Sequence, residues 1–168
     1  MDYHWDKTFI VQQKDVFSRQ IDLAKRYNLP IVIHQRECFD ASFEIVKEKV
    51  NTPLPLSSGK ELRGIFHCFT GTIEEANKII SLGGFKMGIG GAVTYKNSKL
   101  PEVLKQIDLR HIVLETDSPY LTPVPYRGKR NESSFIIFVA QKIAEVKEIS
   151  VEEVAKSTTQ NAEEIFGH

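Results

Sequence analysis

The chain has 168 residues, of which 41% are hydrophobic and 26% charged, a composition typical of one globular domain that stays in water. Its 22 Lys and Arg residues equal its 22 Asp and Glu residues, so the chain has no net positive charge that would attract nucleic acid or a membrane surface. No apolar run approaches the roughly 18 residues of a membrane span, and the spacing of the two cysteines fits neither a disulfide framework nor a zinc cluster. We therefore expect a cytoplasmic protein with no membrane partner, in which any contact with a polyanion is local.

The first half of the chain alternates predicted helices with short apolar strands. Apolar residues spaced by about four positions predict a helix from Phe9 to about Asn28, which Pro30 ends. The β-branched run PIVIH predicts a strand, and a second helix is predicted over residues 37–50. A loop-like segment over residues 51–60 then leads to the apolar run GIFHCF, a second predicted strand.

The second half repeats this alternation. Thr72 and Glu75 form a capping-box pattern that begins a helix through Leu82, and FKMGIGG predicts the third strand. A helix over residues 100–107 leads to HIVLETD, the fourth strand, and a loop rich in Pro, Gly and basic residues precedes two or three helices, one capped by Ser150. This order predicts a parallel sheet covered by helices, either an open doubly wound sheet or a β/α barrel. The lack of a glycine-rich phosphate loop after any strand weakens a dinucleotide-binding version.

Three of the four predicted strands end in a side chain that can bind a metal. His34 ends IVIH, His67 ends GIFH, and Asp117 ends HIVLETD. Because the carboxyl ends of parallel strands form one rim, we expect the three side chains to converge. A single histidine at a strand end is more often a structural residue, but two imidazoles and a carboxylate on one rim favour a divalent metal ion that activates water.

Side chains alternate between the two faces of a strand, and this alternation predicts which face each residue beside the strand ends occupies. Glu115 should share a face with Asp117, whereas Cys68 and Thr116 should face the helices. We therefore interpret Glu115 as a possible member of the site and Cys68 as a packing residue.

Basic residues near the same rim are candidates for contact with phosphate. Arg36 follows the first strand, and the others lie in the loop after the fourth: Arg127, Lys129 and Arg130. Surface ion pairs and a solvated basic loop are the alternatives, but the shared rim favours binding of an anionic substrate. Tyr95 and Lys96 follow the third strand and would line the same opening.

These motifs together resemble the TatD family of metal-dependent deoxyribonucleases, which belongs to the amidohydrolase-like barrel superfamily. The similarity runs through nearly the whole chain: DYHW, PIVIHQR, FHCFTG, MGIGGAVTYK, and ETDSPYL followed by RGKRN. The resemblance implies a TIM-type (β/α)8 barrel with up to two divalent metal ions (Mg²⁺, Mn²⁺ or Zn²⁺) at its carboxyl rim. It also implies DNA as the substrate, with phosphodiester bonds cleaved by metal-activated water.

The resemblance also implies roles for individual residues. His34, His67 and Asp117 correspond to metal ligands on the fifth, sixth and eighth strands of the family barrel. Asp117 would in addition orient or deprotonate the water, and Glu115 would support it as a second catalytic carboxylate. His4 is similar to a family residue that lies near the substrate phosphate, and Arg36, Arg127 and Arg130 would also bind the substrate.

The chain departs from the family pattern at its start. The family's HxH pair is not found, and the sequence begins at DYH, just after the family's metal-contacting glutamate. Since a complete barrel has about 250 residues, we expect residues 1–168 to form one domain, the carboxy-terminal half of an incomplete barrel with about four parallel strands. An open apolar interior and two unpaired edges would then favour self-association or a chain that supplies the other half.

An incomplete barrel should also have low nuclease activity. Three ligands on a wide rim should bind a metal weakly, so this chain alone should show little nuclease activity. Two alternatives stay open: a catalytically inactive fragment, and a metal hydrolase that acts on a non-nucleic ester or amide.

Overall fold

The computed structural model describes residues 1–52 and 61–167, in which helices alternate with short parallel strands. The elements are α1 (Ile10–Tyr27), β1 (Ile31–Ile33), α2 (Phe39–Asn51), β2 (Gly64–Phe66), α3 (Ile73–Ser81), β3 (Phe85–Ile89), α4 (Leu100–Leu104), β4 (Ile112–Leu114), α5 (Ile136–Lys147) and α6 (Val151–Phe166). Within those two ranges, no helix is long and apolar enough to cross a membrane.

The sheet follows the order of the chain. The strands lie in the order β1-β2-β3-β4 and every neighbouring pair is parallel, with Ile31 opposite Gly64, Gly64 opposite Phe85, and Met87 opposite Ile112. A doubly wound sheet reverses its strand order at a switch point, whereas here each strand lies beside the next one. The predicted parallel sheet with surrounding helices is confirmed, and its strand order is that of a barrel segment.

One face of the sheet packs against the helices to form the main core. Phe85, Met87 and Ile89 alternate along β3 and are at most 2% exposed. The Phe66 ring of β2 packs against Phe85 at 5.8 Å and against Phe39 of α2 at 6.0 Å between ring centroids. Burial of these large apolar side chains fixes the strands and so fixes where their carboxyl ends lie.

The opposite face is partly covered by the last helix, α6. A second apolar cluster joins the two layers: Ile65, Val113 and Ile165. The buried Asn161 amide donates hydrogen bonds to the backbone carbonyls of Leu109 (2.8 Å) and Ile112 (2.7 Å). Lys86 Nζ lies 2.8 Å from the Glu164 carboxylate. These contacts hold α6 across the amino ends of the strands, so the chain itself fills part of the interior that the sequence predicts to be open.

Two predicted helix starts are confirmed. The Thr72 hydroxyl accepts a hydrogen bond from the Glu75 backbone N–H, and the Glu75 carboxylate accepts one from the Thr72 N–H, which completes a capping box. The Ser150 hydroxyl accepts from the Glu153 N–H at the start of α6. Both caps satisfy backbone donors that a helix leaves without partners in its first turn.

The strands are shorter than the apolar runs that predict them. β2 ends at Phe66, and the third predicted strand passes into a 3₁₀ turn at Gly91. The predicted loop over residues 51–60 starts later than expected because Asn51 still belongs to α2, and residues 53–60 lie outside the described residues.

Candidate metal centre

The carboxyl ends of β2 and β4 bring His67, Glu115 and Asp117 together. His67 Nδ1 lies 2.9 Å from Glu115 Oε2, and His67 Nε2 lies 2.9 Å from Asp117 Oδ1. One nitrogen or oxygen atom from each residue falls within 4.8 Å of the other two. Imidazole nitrogen and carboxylate oxygen atoms in this arrangement are ligands that bind divalent metal ions. The predicted convergence of the second and fourth strand ends is therefore observed.

Glu115 is held from two sides. Its carboxylate accepts a hydrogen bond from His67 Nδ1–H and another from the backbone N–H of Cys68. The absence of a side chain at Gly88 makes room for it, because a Cβ there would lie 2.2 Å from Glu115 Oε2. A carboxylate that fixes Nδ1–H leaves Nε2 as the imidazole atom that can bind a metal. The position of Glu115 thus matches a supporting role.

Asp117 has one carboxylate oxygen in use and one without a partner. Oδ1 pairs with His67, whereas Oδ2 is buried and has no hydrogen-bond partner among the described residues. A buried carboxylate oxygen without a donor raises the free energy of the folded state. A divalent cation would satisfy it, so the donors present fit such an ion.

The charges around His67 favour a positive charge between the two carboxylates. The hydrogen bond to Glu115 raises the pKa of His67 above its ordinary value, burial opposes this, and the charges of Glu115 and Asp117 add to the increase. A proton on Nε2 and a metal ion at Nε2 therefore compete for the same place.

His34 lies on the rim but outside this cluster. Its ring centroid is 6.2 Å from that of His67, and its side chain is 62% exposed. β1 ends one residue before it, at Ile33. Of the three predicted ligands, His67 and Asp117 lie within hydrogen-bond distance of each other, and His34 borders the same opening beside the His67 ring.

Asp2 is a neighbour of the site that the sequence interpretation missed. It forms a parallel bridge with Arg36, which aligns the first residues of the chain beside the end of β1. Its Oδ2 lies 3.7 Å from His34 Nε2. Alternation in the DYH run places Asp2 on the same face as His4, and this was the available signal.

The prediction that Cys68 faces the helices is wrong. β2 ends at Phe66, and Cys68 has a φ angle of 48°, so strand alternation no longer applies beyond His67. Burial raises the pKa of the Cys68 thiol to about 12, and the charges of Asp117 and Glu115 add to the shift. The Cys68 backbone N–H donates to the Glu115 carboxylate, so this residue borders the carboxylates and not only the helices.

The predicted phosphate-binding residues lie on two flanks of the cluster. On the β1 side, the Arg36 guanidinium is 5.7 Å from the centre of the Trp5 ring, and His4 Nδ1 is 2.5 Å from a Glu37 carboxylate oxygen. His4 is thus paired with an acidic residue and is available to a phosphate only if that pair opens.

On the β4 side, the basic loop lies beside the turn that follows β3. The Arg127 guanidinium carbon is 3.6 Å from the centre of the Tyr95 ring, a stacked cation–π contact. Arg130 is exposed in the same loop. The two flanks would leave the cluster accessible between them.

Comparison with known proteins identifies the family. The model of the TatD related DNase family matches residues 1–167. The chain belongs to the TatD related DNase family. A relative from Bacillus subtilis (strain 168), the uncharacterized metal-dependent hydrolase YabD, is 46% identical over 167 residues, which are 99% of this chain and 62% of that protein. The uncharacterized metal-dependent hydrolase YcfH of Escherichia coli (strain K12) is 34% identical, with 99% of this chain and 60% of that protein covered. The chain thus spans about three-fifths of the length of these curated relatives, 62% and 60%.

Solved structures of TatD proteins share the fold. The TatD homologue YjjV of Escherichia coli K12 superposes with a TM-score of 0.87 at 28% identity, covering 100% of this chain and 61% of that one. A TatD family hydrolase from Entamoeba histolytica has a TM-score of 0.76 at 25% identity, covering 98% of this chain and 58% of that one. These matches confirm the TIM-barrel type of fold that the motifs predict.

Proposed function

We propose that this chain serves metal-dependent hydrolysis of phosphodiester bonds in DNA, with His67, Glu115 and Asp117 at the reacting centre. The observation that carries the proposal is the cluster itself, in which a buried Asp117 oxygen has no hydrogen-bond partner among the described residues. The family description and the metal-dependent hydrolase names of the relatives support the same class of reaction.

The residues that would hold a metal are His67, through Nε2, and Asp117, with His34 and Asp2 approaching from the other side of the opening. When bound, a divalent cation (Mg²⁺, Mn²⁺ or Zn²⁺) would polarise a phosphoryl oxygen and lower the pKa of water. The donor set leaves the choice among these ions open, and up to two ions fit the family resemblance.

The protein groups have separate tasks in this proposal. Glu115 keeps the His67 imidazole in one orientation by accepting its Nδ1–H. The Asp117 carboxylate would accept a proton from the attacking water, whose oxygen forms a bond to phosphorus while the bond to the leaving sugar oxygen breaks; the sugar oxygen then takes up a proton from solvent. His4, Arg36, Arg127 and Arg130 would hold phosphate oxygens of the substrate on the two flanks.

The test is cleavage of a fluorescently labelled single-stranded oligonucleotide in Mg²⁺, in Mn²⁺ and in EDTA. We expect slow cleavage that requires the cation, because the described cluster offers an ion only three residues, His67, Glu115 and Asp117. Asp117→Asn should lower the rate by about 100-fold or more, since a positioned general base contributes at least that much. The matched control is Asp15→Asn, because Asp15 lies exposed on α1 and pairs only with Arg19 in the described structure.

Two results would contradict the proposal. One is cleavage that persists in EDTA or in Asp117→Asn, and the other is hydrolysis of a simple carboxylic ester with no cation-dependent cleavage of DNA. The second result would favour the non-nucleic ester or amide as substrate.

Association with another chain stays a prediction. β1 is an edge of the described sheet, and its Val32 is 57% exposed. Light scattering on the eluting protein measures the mass directly, and a monomer at all concentrations would rule out self-association.

A further inference from the structure

A basic cavity lies on the same rim as the metal centre. It has a volume of about 670 Å³ and is bordered by the turn after β3 and the loop after β4. Three cationic side chains and one aromatic side chain are among its lining: Lys96, Lys99, Arg127 and Tyr95. None of the described residues that line it is acidic. A concave surface with this charge favours an anion.

The cations of this cavity are available to a ligand. The carboxylates in the described ion pairs are matched with other basic groups, and none is matched with Lys96, Lys99 or Arg127. Stacking on the Tyr95 ring at 3.6 Å holds the Arg127 guanidinium in one plane. A guanidinium held by its face keeps its N–H edge for planar, two-point binding of a phosphate.

Tyr95 adds a polar group to the lining of the cavity. Its hydroxyl is buried and has no hydrogen-bond partner within the described part of the chain. Burial raises the pKa of Tyr95, and the neighbouring Arg127 opposes this increase. A buried hydroxyl without a partner is costly, and an oxygen of a ligand in the cavity would remove that cost.

We propose that this cavity binds a second phosphate of the polynucleotide, adjacent along the strand to the phosphate that is cleaved at the His67–Asp117 centre. The proposal rests on the function proposed above, and it adds that the preferred substrate carries more than one phosphate. Lys96, Lys99 and Arg127 bind the oxygens of this second phosphate, and Tyr95, which lines the same cavity, donates its O–H to it.

The experiment is binding of a fluorescein-labelled single-stranded oligonucleotide, followed by anisotropy in EDTA at several salt concentrations. Each phosphate contact to a single strand contributes about 0.7 to the slope of log K against log salt concentration. Lys96→Met and Arg127→Met should therefore each reduce the steepness of this slope by about 0.7. Lys156→Met is the matched control, because Lys156 is exposed on α6, the helix that packs at the amino ends of the strands.

Tyr95→Phe gives a different expected result. It keeps the ring under Arg127 and removes only the hydroxyl, so the affinity should fall about fivefold while the salt slope stays that of the wild type. Wild-type slopes in both Lys96→Met and Arg127→Met, or no oligonucleotide binding by the wild type, would overturn the proposal.

The binding experiment is carried out in EDTA, so its result does not depend on metal-dependent cleavage. Binding and cleavage therefore test the cavity and the hydrolase function separately. Altered slopes with no cation-dependent cleavage would refute the hydrolase function while leaving a polynucleotide-binding cavity. Cation-dependent cleavage with unaltered slopes would refute the cavity alone.

Discussion

Replacing Gly88 by Ala tests how the metal centre is held in place. The added Cβ would lie 2.2 Å from Glu115 Oε2 and 2.6 Å from its carboxyl carbon. The carboxylate must retreat by about 1 Å to reach an ordinary nonbonded separation. Since Oε2 is the atom 2.9 Å from His67 Nδ1, this movement breaks the hydrogen bond that orients the imidazole.

Two measurable changes should follow. The hydrogen bond to Glu115 is the largest cause of the raised pKa of His67, so the pKa of His67 should fall toward its ordinary value in Gly88→Ala. Metal affinity should fall about 10- to 100-fold, the usual effect of removing a carboxylate that orients a histidine ligand.

The assays are a proton NMR titration of the His67 ring and a calorimetric titration with Mn²⁺. Gly90→Ala is the matched control, because a Cβ there meets its nearest atom, the Glu115 carbonyl oxygen, at 3.5 Å, an ordinary contact. An unchanged pKa of His67 together with unchanged Mn²⁺ affinity in Gly88→Ala would refute the role given to Glu115.

Three further predictions concern the rest of the structure. Asn161→Ala removes the donor from the buried carbonyl of Ile112 and the partly buried carbonyl of Leu109, and it should lower the free energy of unfolding by about 2–4 kcal/mol in urea titrations. The exposed Thr159→Ala should change it little, and equal stability of both variants would contradict this. Mn²⁺ affinity should increase as pH rises through the raised pKa of His67, because the proton on Nε2 competes with the ion, and a pH-independent affinity would count against the site. With its pKa raised to about 12, the Cys68 thiol should react slowly with iodoacetamide in the native protein and quickly in urea, as mass spectrometry would show; rapid native labelling would place the thiol elsewhere.

The sequence was sufficient to predict the convergence of His67 and Asp117. Alternation along a strand and the common rim of parallel strands are properties of local backbone geometry, so they can be inferred from apolar runs and the residues that end them. The caps at Thr72 and Ser150 were predictable for the same reason, because a capping side chain acts on its own helix.

Features that depend on a single backbone angle or on distant packing were not predictable. Cys68 turns toward the carboxylates because its φ angle is 48°, and a strand pattern contains no sign of that angle. The amphipathic pattern of α6 shows that one side is buried, but not that Ile165 packs across the sheet onto Ile65 and Val113. The placement of Asp2 beside His34 likewise depends on a bridge between residues far apart in the chain.

Anomalous diffraction from crystals grown with Mn²⁺ tests the central claim most directly. The account predicts a peak about 2.0–2.3 Å from both His67 Nε2 and an Asp117 carboxylate oxygen, with Glu115 still accepting the hydrogen bond from Nδ1. Mn²⁺ bound elsewhere on the surface, with His67 still joined directly to Asp117, would contradict the account.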